Sequence, residues 1–191
     1  GIDQLSDLHL RGGQVLAFGA QPPDFTADLE IDARGQIVCP GLIDLSVHLR
    51  EPGHEHKATI GSETAAAASA GITSLCCPPD TEPVNDTPAV TELIRHKAKL
   101  SGKARVLPLG AMTAGLAGQE LSEMAALKRA GCVAVSNGLQ PIANTLVLRR
   151  ALEYAATFGL TAFLSPEDPQ LRDQGCAHEG RVAARLGLPG I

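Results

Sequence analysis

Tryptophan is absent from these 191 residues and tyrosine occurs once. Bases would find little to stack on, and a net charge of −5 does not supply the basic face that phosphates require. Both features argue against nucleic acid as a partner. No apolar run approaches the roughly 18 residues of a membrane span, and no signal-peptide pattern opens the chain. No membrane partner is expected, and the expected location is cytoplasmic. The five cysteines are an odd number without the spacing of a disulfide framework. Cys76 and Cys77 are adjacent and cannot easily bridge each other. Reduced thiols are therefore expected, with Cys76, Cys77 and Cys132 packed as small apolar groups and not used as nucleophiles.

The remaining composition is that of a folded domain: 44% hydrophobic residues and 19% charged ones suffice for a core. Both ends look cut, because Gly1 is no initiator, Ile2 to Asp7 enters a strand pattern at once, and Ile191 directly follows a helical stretch.

Two rhythms divide the chain at about residue 40. Residues 1–39 read as short strands, with Leu8-His9-Leu10 and Val15 to Phe18 joined by the turn at Gly12-Gly13. Pro22-Pro23 breaks the pattern, and further short apolar stretches lie at Leu29 to Ile31 and Ile37 to Cys39. From Pro40 onward, apolar strand-like runs alternate with amphipathic helical ones. The strands are expected at Leu42–Val47, Ile72–Cys76, Ala104–Leu109, Cys132–Val135 and Leu160–Leu164. The helices are expected at Thr59–Ala70, Pro88–Leu100, Leu121–Ala130, Ile142–Phe158 and His178–Leu186. Gly71, Gly131 and Gly159 each stand between a helix and the next strand, where a left-handed residue closes a helix. Repeated βα units of about 30 residues imply an α/β fold with a parallel sheet. An open doubly wound sheet and a barrel both fit that rhythm. No G-x-G-x-x-G follows any strand, which weakens the dinucleotide-binding version. Five units fall short of a closed eight-stranded barrel, which typically needs about 250 residues, so the barrel reading requires further sequence.

Barrel chemistry sits at the C-terminal ends of the strands. At the first such end, residues two apart share a side, so Ser46 and His48 face the mouth together. Pro40-Gly41-Leu42-Ile43-Asp44 with Val47-His48-Leu49-Arg50-Glu51-Pro52-Gly53 resembles the first-strand signature of the dihydroorotases, in the amidohydrolase superfamily. The resemblance continues through Thr81 to Asp86, Glu153-Tyr154-Ala155 with Phe158-Gly159-Leu160, and His178-Glu179-Gly180 with Ala184 to Ile191. Hydantoinases and allantoinases share the barrel, but His48 to Gly53 is more like the dihydroorotases. The resemblance implies a (β/α)8 TIM-type barrel, of which about five units lie in residues 40–191. It also implies that residues 1–39 form the N-terminal part of a small β-sandwich. The chemistry it implies is a metal-activated water that opens or closes a dihydropyrimidine ring.

The departures from that pattern concern the metal. Where the family has His-x-His, this chain has Ser46 and His48. Where active relatives carry Ser-Asp-Asp-Gly, it has Ser136-Asn137-Gly138-Leu139, with no carboxylate at Asn137 or Gly138. Where they carry His-Ala-Glu-Asp, it has Ser165-Pro166-Glu167-Asp168. Of the four implied ligand positions only His48 remains, whereas a catalytic zinc takes about three protein ligands and a water. Without the metal the pKa of the water is not lowered toward neutrality, so no resident metal, cofactor or catalytic residue is expected. Arg50 matches the family residue that grips the substrate carboxylate, but Asp80 replaces its companion Asn and would repel that group. His48, Arg50 and Asp80 thus form a vestigial pocket, with His48 hydrogen-bonded and Arg50 expected to pair with Asp80, Glu51 or another carboxylate.

Three further features read as structural. His54-Glu55-His56 lies on a loop whose spacing fixes no metal geometry. Glu167 and Asp168 suit loop structure and capping, and His178-Glu179-Gly180 suits a turn and helix start. The resemblance also supplies a precedent, since some bacteria have an inactive dihydroorotase homologue that assembles with the aspartate carbamoyltransferase catalytic chain. It therefore implies a non-catalytic subunit of pyrimidine biosynthesis. The alternatives are a metal-dependent dihydroorotase with an atypical site, or a sensor that holds an acidic metabolite at Arg50.

Overall fold

A computed structural model describes residues 3–191 of the chain. The chain forms two compact units, Gly1–Pro40 and Gly41–Ile191.

The first unit contains an antiparallel hairpin of β1 (Leu8–Arg11) and β2 (Gln14–Phe18), turned at Gly12 and Gly13. Both glycines have positive φ, which is why this turn admits them readily. The edge of Phe25 meets the His9 ring at 5.1 Å, and the Arg11 guanidinium lies over Phe25 at 5.4 Å. The expected strand entry at Ile2–Asp7 does not occur over Asp3–Asp7, and Ile2 lies outside the described residues. The stretches Leu29–Ile31 and Ile37–Cys39 are irregular too, because no partner strand pairs with them.

The second unit carries five parallel strands: β3 (Leu42–Asp44), β4 (Ile72–Cys77), β5 (Arg105–Ala111), β6 (Ala134–Ser136) and β7 (Thr161–Phe163). Its helices are α1 (Ile60–Ser69), α2 (Pro88–Ser101), α3 (Met124–Ala130), α4 (Thr145–Thr157), α5 (Pro169–Arg172) and α6 (Arg181–Leu186). The spatial order of the strands equals their sequence order, so each new strand joins the same side of the sheet. A doubly wound sheet would reverse direction at a switch point. This sheet is instead an arc of a (β/α) barrel.

The glycine signature holds: Gly71, Gly131 and Gly159 all have positive φ after α1, α3 and α4. Gly131 also admits Arg95, whose Nη1 donates to the Ala130 carbonyl at 2.7 Å and so joins α2 to the end of α3. Three helices start later than their patterns suggest, because nearby backbone is used otherwise. Leu121 bridges Thr113, and Ser122 Oγ donates to the Ala111 carbonyl, so α3 begins at Met124. Asn144 Oδ1 accepts the Leu146 N–H at 3.0 Å and caps α4. Gly180 precedes α6 in extended conformation, making His178-Glu179-Gly180 the approach to a helix.

Alternation along β4 places its side chains in two cores. Leu75 and Cys77 pack with Leu49, Ile60, Val90 and Ile94, between the sheet and helices α1 and α2. Cys76 points the other way, toward Leu109 and Ala134. A further core joins Met112, Met124, Val135, Ala151 and Leu160. Among the described residues no helix is long and apolar enough to cross a membrane.

Candidate functional site

The segment after β3 positions the mouth residues. Asp44 Oδ1 accepts the Ser46 N–H at 3.0 Å, and the Val47 N–H donates to the Cys76 carbonyl at 2.9 Å, which prolongs the strand direction. Val47 and Leu49 pack into the core on the helix side. By alternation His48 emerges on the opposite side, in a shallow recess lined by Arg50, His54, Asp80 and Thr81.

His48 faces a carboxylate. Its Nδ1 stands 3.1 Å from Asp80 Oδ2, with both side chains about one-third exposed (33% and 34%). The expected Arg50 pairing is overturned: among the described residues no carboxylate forms an ion pair with it. The reason lies in competition for the candidate partners. Asp80 is held by His48. Glu51 turns inward, where its Oε2 accepts the N–H of Ile60 at 2.8 Å and its Oε1 meets Lys97 Nζ at 2.6 Å. An unpaired N–H of the first turn of α1 and the ammonium of α2 thus claim the one buried carboxylate of the loop. Glu51 also holds the Lys97 ammonium to a pKa above its ordinary value. Arg50 itself sits in left-handed backbone (φ 62°) with an exposed side chain.

The neighbouring loop interlocks with this one. The Glu82 N–H donates to the Pro52 carbonyl at 3.1 Å, and Gly53 lies against Glu82 so closely that a β-carbon would have no room. Glu55 Oε2 accepts the Gly53 N–H at 3.0 Å, and backbone hydrogen bonds keep its carboxyl below the usual range. His54 and His56 meet edge to face at 6.0 Å.

The mouth positions after β6 are occupied by structural contacts. Asn137, at the end of β6, is buried (1% exposed), and its Oδ1 accepts the Thr113 hydroxyl at 2.6 Å. Its Nδ2 donates to the carbonyls of Leu116 (3.2 Å) and Gln140 (2.9 Å). Gly138 has positive φ and approaches Asp80, with 3.7 Å separating an added β-carbon from Asp80 Cβ. Ser136 Oγ accepts the Gly138 N–H at 3.0 Å. Ser46 is exposed, and Ser165 follows β7 half-buried. Glu167 and Asp168 serve the loop as expected. Asp168 Oδ1 accepts the N–H groups of Gln170 and Leu171 at 2.8 and 3.1 Å, and Glu167 pairs with Arg172 at 2.7 Å. The structure thus brings His48, Arg50, Asp80 and Gly138 to one mouth. The sequence does not single out Thr113 or Lys97, because nothing local marks their distant partners.

Among the described residues no three His, Cys, Asp or Glu side chains gather where one metal ion could bind them. Hydroxyls at 46 and 165 and an engaged amide at 137 are poor donors to zinc beside the His48 imidazole. This chain's residues therefore do not fit the metal that such a barrel implies.

Three cysteines are inert by position, being buried. Burial pushes the Cys77 thiol up to about 12 and raises Cys76 and Cys132 as well. Cys39 and Cys176 are exposed. A thiol-specific chromogenic disulfide should therefore label two of the five cysteines quickly in the native chain, and the other three only after denaturant is added. Prompt reaction of a third thiol would contradict the packing of β4 and β6.

Comparison with known proteins agrees with this architecture. A family profile described as dihydro-orotase-like matches residues 35–191. The dihydroorotase-like protein of Pseudomonas aeruginosa is 53% identical over 190 residues, covering 100% of this chain and 45% of that protein. The dihydroorotase of Geobacter metallireducens is 49% identical over 193 residues, with coverage of 100% and 45%. This chain thus spans less than half the length of these relatives. Among solved structures, the L-hydantoinase of Arthrobacter aurescens superimposes with a TM-score of 0.75 at 22% identity, over 88% of this chain and 39% of that one. That likeness concerns the barrel fold alone. The profile and the identities together place the chain in the dihydroorotase-like family of the amidohydrolase superfamily.

Proposed function

We propose that this chain belongs to a non-catalytic dihydroorotase-like subunit that assembles with the catalytic chain of aspartate carbamoyltransferase in pyrimidine biosynthesis. The observation that carries this reading is the use of the mouth side chains. His48 is engaged by Asp80, Asn137 by three loop groups, and among the described residues no three His, Cys, Asp or Glu side chains gather to hold one metal ion. A barrel that keeps its framework without an activated water is suited to holding other chains. The partner rests on the family precedent.

The competing reading is a metal-dependent dihydroorotase with an atypical site, and it draws support from the name of the relative at 49% identity. Co-expression with the carbamoyltransferase chain of the same genome should yield a complex that survives gel filtration at native salt. The isolated protein should leave dihydroorotate and carbamoyl aspartate unconverted with zinc present. Clean separation of the two chains would remove the assembly reading. Zinc-dependent turnover by the isolated protein would establish the competing one.

A further inference from the structure

Asn137 and Gly138 occupy the stretch where the resemblance places a metal-binding carboxylate, and the surroundings of Asn137 show what that side chain does instead. The side chain is almost fully buried, at 1% exposure. Its carbonyl oxygen receives the only proton of the Thr113 hydroxyl, whose own oxygen accepts the Gly118 N–H at 3.0 Å. Its amide hydrogens go to two backbone carbonyls on different segments: Leu116 in the turn after β5, and Gln140 in the loop after β6. Leu116 has a φ of 61°, a left-handed conformation that a leucine adopts only when its surroundings hold it. The Gln140 N–H returns to the Asn137 carbonyl at 3.1 Å and closes the loop on itself. Both amide hydrogens and the carbonyl oxygen of this side chain are engaged, and the direction of the amide is set by its partners.

We infer that Asn137 is the pin joining the mouth loops after β5 and β6, and that its two carbonyl partners close the position to a carboxylate. An ionised Asp here would turn an acceptor oxygen toward the Leu116 and Gln140 carbonyls while buried, with no hydrogen left to offer. The inference rests on the non-catalytic reading and extends it: with histidines restored at positions 46 and 165, the carboxylate of the family's ligand set could still not return at 137 without breaking the loops.

The test compares Asn137→Asp with Asn137→Ala in the full chain, by unfolding midpoint and by hydrogen exchange resolved along the sequence. Both variants should exchange faster at residues 113–118 and 138–141, while α1 and α2 keep native protection. At neutral pH the Asp variant should lose at least as much midpoint temperature as the Ala variant. A soluble Ala variant beside an Asp variant that does not fold supports the same conclusion. Native midpoint and native exchange in Asn137→Asp would overturn it. So would stoichiometric zinc uptake, with unchanged stability, by a variant combining Ser46→His, Asn137→Asp and Ser165→His. Turnover of dihydroorotate by the unaltered chain would defeat the non-catalytic reading and leave the exchange result standing, so the two failures are distinguishable.

Discussion

Replacing Gly53 by Ala is expected to destabilise the barrel unit by about 2–5 kcal/mol, combining left-handed strain with overpacking. The backbone there has φ +106°, and a β-carbon would fall 2.4 Å from Glu82 Cβ, 2.6 Å from the Glu82 carbonyl oxygen and 2.9 Å from Glu82 Cα. Two of those obstacles are backbone, so no rotamer change relieves them. Glu82 cannot withdraw freely either, because its N–H is bonded to the Pro52 carbonyl and its loop leads into the buried Asn85. A domain whose whole stability is about 5–15 kcal/mol would lose a large share of it. Gly71→Ala is the matched control. It has φ +83° with nothing within 4 Å of the added carbon, so only backbone strain of about 1–2 kcal/mol applies. Urea unfolding of the two variants separates the terms. Equal losses would show that Glu82 yields and that the two mouth loops are not locked together.

Asn85→Ala should cost about 2–4 kcal/mol, from lost buried hydrogen bonds and the small cavity left behind. Asn85 is fully buried, at 0% exposure. Its Nδ2 donates to the Leu109 carbonyl at 2.8 Å, and its Oδ1 accepts the Thr91 hydroxyl at 2.7 Å. Its backbone carbonyl accepts the Ala111 N–H at 2.9 Å. One residue therefore joins the loop after β4, the first turn of α2 and the end of β5. The Thr91 oxygen also lies 3.3 Å from the buried Cys132 sulfur, so the truncation should loosen that thiol as well. The measurement is a denaturant midpoint paired with the labelling rate of the slow cysteines. A loss below about 1 kcal/mol, typical of a surface change, with unaltered labelling would show that Asn85 is a passive passenger.

The order of βα units was readable because it rests on local pattern. Alternating apolar strands, amphipathic helices and the glycines at 71, 131 and 159 are properties of short windows, and all reappear in place. Boundaries were less readable. The first barrel strand contracts to Leu42–Asp44, and α3 starts at Met124 once Leu121 and Ser122 are drawn to β5 and the turn beyond it. At the mouth, the sequence suggests a carboxylate for Arg50, but the fold sets Asp80 against His48 and turns Glu51 inward. That difference has a physical origin. Glu51 is beside Arg50 in sequence, but Lys97 and the start of α1 reach it first in space.

The sequence by itself determined which side chains stand at the mouth: hydroxyls at 46 and 165, an amide at 137, and one imidazole at 48. It also determined the succession of strands and helices that carries them, because both are matters of residue identity and short-range periodicity. Only the tertiary structure decided what those side chains do. Asp80 meets His48, and Asn137 ties Thr113, Leu116 and Gln140, because parallel pairing sets neighbouring strand ends side by side and brings together loops far apart along the chain. Hydrogen-bond partners are chosen by that register, which no local stretch of sequence encodes.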